Sequence, residues 1–441
     1  MNRSTAFDHA LIRQEIVGLE ERIAMIRPFA LSESMLPAAM PARGTLAKVD
    51  RFLGLSRRKW LHRTRTFLCW LNGADQVDVP LDQVYRRFVH LRLQANASLA
   101  HLNLFAQAIS QRSEFATGVL LRGLDDLAHE ALHLERVQMV VPDFLCYLDG
   151  GMGAAIRRVN TRLPGGAKSP IALIRIPRER MVGIGLAGSL VHEVGHQGAA
   201  TLNLVPILQD AIDRRNSENA FSEDSHLLWK AWRMWIPEIV ADLWAVARLG
   251  VTATLGLIEA LALPPSLVFQ TNEGDPHPTP WIRVILGATL GEGLFPDPQW
   301  QRVIATWEAR YPFDRYAARM DRKSQLFLLA LRAQIPFFAK WLVAQPIESA
   351  GGITLGQVLV DEELQTFRLR AELERWQREH LLPDHLRLRK MLALVGYARI
   401  NAIRLPVSEG RIVSWILTQL ALRRSRPEHD AKHASMIHCF Q

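Results

Sequence analysis

Between residues 10 and 27 the apolar positions fall at Ile12, Ile16, Leu19, Ile23 and Ile26, spaced by four, three, four and three. That rhythm gathers them on one face of an α-helix, and Pro28 supplies its stop. A Pro-, Ala- and Ser-containing loop over 31–44 follows, then helical patterns over about 82–111 and 117–140. The rhythm changes after residue 148. Two Gly-rich stretches, "YLDGGMG" and "RLPGGAKSP", flank a short segment, and "IALIRIP" at 171–177 is the best strand candidate in the chain. From 182 to about 292 the pattern is helical again, with its most polar loop at 216–225. Beyond 310 long helical patterns return, among them 363–380 and 411–424, before a polar tail. The expectation is a mainly α protein of the α+β kind with a small sheet, in three parts: a helical region 1–147, a core 148–310 and a helical region 311–441.

A chain of 441 residues exceeds one compact core, and 49% hydrophobic against 22% charged residues argues for packed interiors over disorder. An excess of 53 Lys and Arg over 44 Asp and Glu gives +9, which favours anionic surfaces in general. No nucleic-acid motif accompanies it, so no specific nucleic acid is expected. The basic run "SRRKWLHRTR" at 56–65, like "RLRK" at 387–390 and "RRSR" at 423–426, reads first as a solvated helix face. Cys69, Cys146 and Cys439 form no CxxC and suggest neither a disulfide framework nor a thiolate zinc site. Charges interrupt both the N-terminal segment and the long apolar stretches 239–269 and 326–347, so neither a signal peptide nor a spanning helix is expected. A cytoplasmic protein follows from these absences, with peripheral membrane contact left open.

Two stretches carry candidate chemistry. "HEVGH" (192–196) and "HEALH" (129–133) each place two histidines at i and i+4 with a Glu between them, so one helical face can hold a zinc ion beside a carboxylate. In such a site zinc lowers the pKa of bound water towards about 7, and the Glu, here Glu193, takes the water's proton. A third ligand is needed, and "WIPEIVADLWAVARLG" (235–250) offers it. Pro237 suits a first helical position and Gly250 the residue past the end, which places Glu238 and Asp242 on one face with Ala241, Ala245 and Leu249. Carboxylates on a buried face need partners. Glu238 as a ligand beside His192 and His196, with Asp242 holding the second nitrogen of a ligand histidine, supplies them.

HExxH followed by ExxxD resembles the gluzincin metallopeptidases, the thermolysin-like group; 41 residues separate His196 from Glu238. "DPHPTPWIRV" (275–284) adds His277-Pro278 and Arg283, similar to the His-Pro…Arg element of the CAAX prenyl endopeptidase branch and its soluble bacterial relatives. The resemblance covers about 171–290, a quarter of the chain. It implies a zincin-like core that binds one zinc through His192, His196 and Glu238, with Glu193 as general base and later proton donor. It also implies Asp242 on His192, and His277 with Arg283 stabilising the oxyanion of a peptide or protein substrate. In the branch, members often carry membrane helices or a signal peptide; neither is evident here, which argues against a prenylated substrate. "IALIRIP" suits either a sheet edge along which a peptide pairs or an ordinary buried strand.

Blander roles stand beside these. His277 can be a turn histidine among prolines, and Arg283 a surface residue. Trp229, Trp232 and Trp235 read first as packing, and "HEALH" as part of an acidic amphipathic helix with no partner set of its own. The expected activity is a zinc-dependent endopeptidase; the alternatives are an inactive zinc-stabilised scaffold and a binder of anionic surfaces.

Overall fold

A computed structural model of the chain describes residues 3–77, 79–150, 153–163, 167–178, 183–218, 223–272, 274–379, 386–405 and 412–424. Over these residues the fold is mainly helical with one small sheet, as the periodicity predicts. In chain order the helices before the sheet are α1 (Arg3–Ala24), α2 (Phe29–Ser32), α3 (Arg43–Val77), α4 (Leu81–Ser110) and α5 (Phe115–Leu132). The strands are β1 (Phe144–Asp149), β2 (Ala155–Arg157) and β3 (Ala172–Pro177). Next come α6 (Gly185–Thr201), α7 (Leu204–Glu218), α8 (Glu223–Leu249), α9 (Val251–Leu261), α10 (Pro265–Val268) and α11 (Pro280–Leu294). The chain continues with α12 (Gln299–Arg310), α13 (Phe313–Ala317), α14 (Arg322–Val343), α15 (Leu355–Leu359), α16 (Thr366–Glu379), α17 (Leu388–Ile400) and α18 (Ile412–Arg424).

Two compact units form, each assembled from discontinuous pieces. One comprises residues up to 121 with 142–147 and 157–173; the other comprises 122–141, 148–156 and everything from 174. The helices beyond residue 310 therefore belong to the same unit as the HEVGH helix.

In the first unit the α1 stripe Ile12, Ile16, Leu19 and Ile23 is buried against Trp60, Phe67 and Leu71 of α3 and Val84, Phe88 and Leu91 of α4. Arg112, fully buried, donates from Nη2 to the Cys146 carbonyl at 2.7 Å, satisfying a backbone acceptor inside that unit. The 117–140 pattern stops at Leu132, because Val137, Val140, Val141 and Pro142 favour extended backbone over helix.

In the second unit α8 is the central helix. It is longer than its sequence suggests: it starts at Glu223, and Pro237, expected at a first helical position, lies inside it. Proline has no N–H to give the carbonyl four residues back, which is that of Arg233. Gln209 Nε2 of α7 donates to that carbonyl at 3.4 Å, replacing the missing partner. The C-terminal expectation holds, since Gly250 takes a positive φ of 57° and turns the chain into α9.

Sheet order is β1-β3-β2. The strand expected at 171–177 forms, but β3 is central and hydrogen-bonded on both sides. An edge role for "IALIRIP" is therefore overturned, and the three-residue β2 is the edge beside it. Among the described residues α14 alone is long and apolar enough to cross a membrane by length and composition. It packs against α8, α11 and α15, and 33% of its apolar window is buried.

Candidate metal centre

Glycine brings the two motif helices together. A Cβ on Gly195 would stand 2.8 Å from Ala241 Cα, and one on Gly198 would stand 2.3 Å from the Trp244 ring. Any larger side chain would hold α6 and α8 apart. Trp244 is fixed in turn, donating from Nε1 to the Ala131 carbonyl at 2.9 Å. The start of α6 is anchored separately, where Glu259 accepts from the Gly185 N–H at 2.9 Å. Gly188 lies against the α9 backbone at Ala253 and Gly256.

That approach sets the side chains of "HEVGH" against those of "EIVAD". His192 Nε2 and His196 Nε2 each lie 3.3 Å from a Glu238 oxygen, and the two rings meet edge to face with centroids 4.8 Å apart. His192, His196 and Glu238 are the one group of three His, Cys, Asp or Glu side chains, among the described residues, with ligand atoms close enough to hold a metal ion. Asp242 stands one turn behind Glu238, with Oδ1 2.8 Å from His192 Nδ1, close but off the line of a good hydrogen bond. The i, i+4 pairs on both helices thus face each other as the spacing predicts.

Arg283, on the first turn of α11, lines the same cavity as Glu193 but commits its guanidinium to the carboxylates of α8. Its Nε donates to Asp242 Oδ2 at 2.7 Å, and its Nη2 donates to Asp242 Oδ1 at 3.0 Å and Glu238 Oε2 at 3.1 Å. With 9% of its surface exposed, it is not the surface residue considered from sequence. The reason is geometric: Pro280 starts a new helix after His277, and the first turn of α11 aims Arg283 at the α8 carboxylates.

Electrostatics follow from this packing. Burial pushes the Asp242 carboxyl up, but Arg283 and then His192 outweigh it and hold it at about 2. Burial likewise opposes the charge on Glu238, whose bonds from His192 and His196 and the nearby Arg283 keep it far below the ordinary carboxylate range. Burial disfavours charge on His192 as well, yet Asp242 and Glu238 raise it to about 9. For Arg283 burial is again the largest influence, and Asp242 with Glu238 overcomes it and raises its pKa. Two carboxylates against one guanidinium leave one negative charge in excess, and the raised His192 reflects the demand for another cation.

Glu193 lines a cavity of about 170 Å³ together with His192, Glu238, Asp242 and Arg283, and its carboxylate has no hydrogen-bond partner among the described residues. His277 reaches this cavity from the loop before α11, with Nε2 3.6 Å from Glu238 Oε2 and its side chain half exposed. Sequence reasoning missed its neighbour Asp275, which accepts from the His277 backbone N–H and contacts Nδ1, both at 2.9 Å, and so aims Nε2 inward. The spacing in "DPH" carried that signal. Trp235 Nε1 donates to the Asp275 carbonyl at 3.0 Å and ties the loop to α8. Trp229, Trp232 and Trp235 are all buried, and Trp232 stacks on Phe338 at 4.3 Å, so the stripe is packing.

"HEALH" gains no such surroundings. His129 and His133 are exposed, and His133 lies past the last residue of α5. Glu130 Oε2 accepts from the Arg389 N–H at 3.5 Å, and its carbonyl accepts from Arg389 Nη1 at 3.1 Å. Partial burial, with Arg387, Arg248 and Arg389 around it, lowers the His133 pKa, a setting that repels a cation. In "RLRK", Arg389 and Lys390 are buried on Asp361 and Glu363 instead of forming a solvated face. "RRSR" and Cys439 fall outside the described residues or side chains. Compared with models of protein families, with curated proteins and with solved structures, the chain matches none.

Proposed function

We propose that this protein is a zinc-dependent peptide hydrolase with a zincin-like core, its metal held by His192, His196 and Glu238. One observation carries the reading: the ligand atoms of His192, His196 and Glu238 come together, and His192 and Glu238 line a cavity that Glu193 also lines. The distances support it. A nitrogen and an oxygen sharing a tetrahedral zinc at about 2.0–2.1 Å lie about 3.3–3.4 Å apart; His192 Nε2 lies 3.3 Å from Glu238 Oε2 and His196 Nε2 lies 3.3 Å from Glu238 Oε1, each histidine meeting a different carboxylate oxygen. A charge-assisted pair standing alone closes to about 2.7–2.9 Å, as Arg283 and Asp242 do at 2.7 Å. The donor set of two imidazoles and a carboxylate, with one negative charge in excess, also suits a divalent cation.

Zinc bound there would supply Lewis acidity, bringing bound water to a pKa near 7 and polarising the scissile carbonyl. Glu193, the one carboxylate of the cluster without a partner among the described residues, takes the proton from the attacking water and returns it to the leaving amine. Asp242 orients His192 through Nδ1, and Arg283 holds Asp242 and Glu238 in place. His277, steadied by Asp275, points Nε2 at the same space and donates to the oxyanion when protonated.

The test is metal content followed by activity. Protein purified without added metal is expected to hold about one zinc per chain, lost in His196→Ala and kept in His133→Ala. Glu193→Gln is expected to keep the zinc and lose at least about 100-fold in peptide cleavage, the usual worth of a general base. Cleavage by that variant at the wild-type rate would remove the peptidase reading.

A further inference from the structure

A second cavity lies wholly in the first unit, and the proposed peptidase chemistry makes no use of it. It occupies about 280 Å³ between α1, α3 and α4 and touches Ala167 and Lys168. Its walls are mostly apolar, with Leu53, Trp60, Leu99 and Leu102 among them, and Ser56, Ser98 and His101 line it as well. Among the described residues no Asp or Glu lines it, while Lys59 and Lys168 do. Both lysines are exposed, so they stand where the cavity opens to solvent, and neither has an ion-pair partner among the described residues. Lys59 lies 5.9 Å from the Trp60 ring, poised over an aromatic wall without being neutralised.

A packed helical bundle does not leave apolar volume of this size open without consequence, because an unfilled void forfeits contact around its lining. Its volume sits just below the ~300–1,000 Å³ of ordinary small-molecule sites, which suits one chain and not two. Apolar walls call for an aliphatic body. Two unpaired ammonium groups at the opening call for an anionic end. We propose that this cavity binds a single-chain amphiphile with a carboxylate head, of the medium-chain fatty-acid class. The basic run at 56–65 then contributes more than a solvated face, since Lys59 meets the head group.

The experiment titrates the full-length protein with decanoate by calorimetry, below its micelle concentration, beside decyl trimethylammonium and decyl phosphate. One decanoate per chain is expected, and each methylene added from hexanoate upward should tighten binding about four-fold. Lys59→Glu with Lys168→Glu touches no core position and should weaken decanoate at least ten-fold. Ser98→Trp, which fills the cavity from α4, should abolish binding while the circular dichroism stays that of wild type. Three results would overturn the proposal: no decanoate binding at millimolar concentration, decyl trimethylammonium binding as tightly as decanoate, or unchanged binding in the double lysine variant. Decyl phosphate binding more than ten-fold tighter than decanoate would overturn the carboxylate assignment and leave a phosphate head in its place.

Discussion

Glu238 faces four groups of opposite or titratable character, His192, His196, His277 and Arg283, and only Arg283 carries a permanent charge. Arg283 binds both α8 carboxylates in a bidentate geometry that a lysine cannot reproduce. Removing it strands two buried anions. Arg283→Met is therefore expected to destabilise the protein by ~3–5 kcal/mol in urea unfolding, the cost of breaking one side of a buried ion-pair network. Arg283→Lys should lose less, because it retains the charge. A change under about 1 kcal/mol in Arg283→Met would show that the network is not structural. The resemblance to a His-Pro…Arg element implied that Arg283 lies near the site, but the sequence could not give its direction, which the first turn of α11 determines.

At the scale of the element, the approach of α6 to α8 rests on two glycines with different neighbours. Beside Gly195 the obstacle is backbone, the Ala241 Cα, which cannot rotate away. Gly195→Ala is expected to cost ~1–3 kcal/mol through overpacking and to lower the zinc retained after dialysis, because it separates His192 and His196 from Glu238. Gly18, inside α1, has nothing within 4 Å of its would-be Cβ. Gly18→Ala should instead stabilise by about 0.5–1 kcal/mol, the ordinary gain of alanine over glycine in a helix. Thermal melts of the two variants side by side check the contrast. Equal effects would mean that the close approach is not what Gly195 provides.

For the whole molecule, a metal that binds only the folded state adds stability by mass action, about 2.7 kcal/mol at a free concentration 100 times its Kd. Chelation is therefore expected to lower the Tm of the wild type by several degrees in calorimetry and to leave that of His196→Ala unmoved. The wild-type melt staying put would argue against a resident metal. The organisation into two units also sets what is shared. Because helices beyond residue 310 belong to the unit that carries the centre, Phe338 of α14 packs on Trp232, whose helix supplies Glu238. Sequence composition placed a boundary at 310, where charge and hydropathy change little and only packing shows that the unit continues.

What the sequence determined by itself was local and periodic. The stripe of α1, the span of α4, the strand at 171–177 and the i, i+4 pairs of "HEVGH" and "EIVAD" are written in spacing, which fixes the face a side chain takes on its own element. It also separated "HEALH" from "HEVGH", through the partner set that stands behind only one of them. Tertiary structure decided whatever depends on which element comes to lie opposite. It placed β3 at the centre of its sheet, gave the Arg233 carbonyl a donor from α7 where Pro237 supplies none, and set Arg283 against the carboxylates of α8. The physical reason is common to all three. Hydrogen-bond partners and charge neutralisers are drawn from distant segments, and a spacing along one helix carries no record of what will face it.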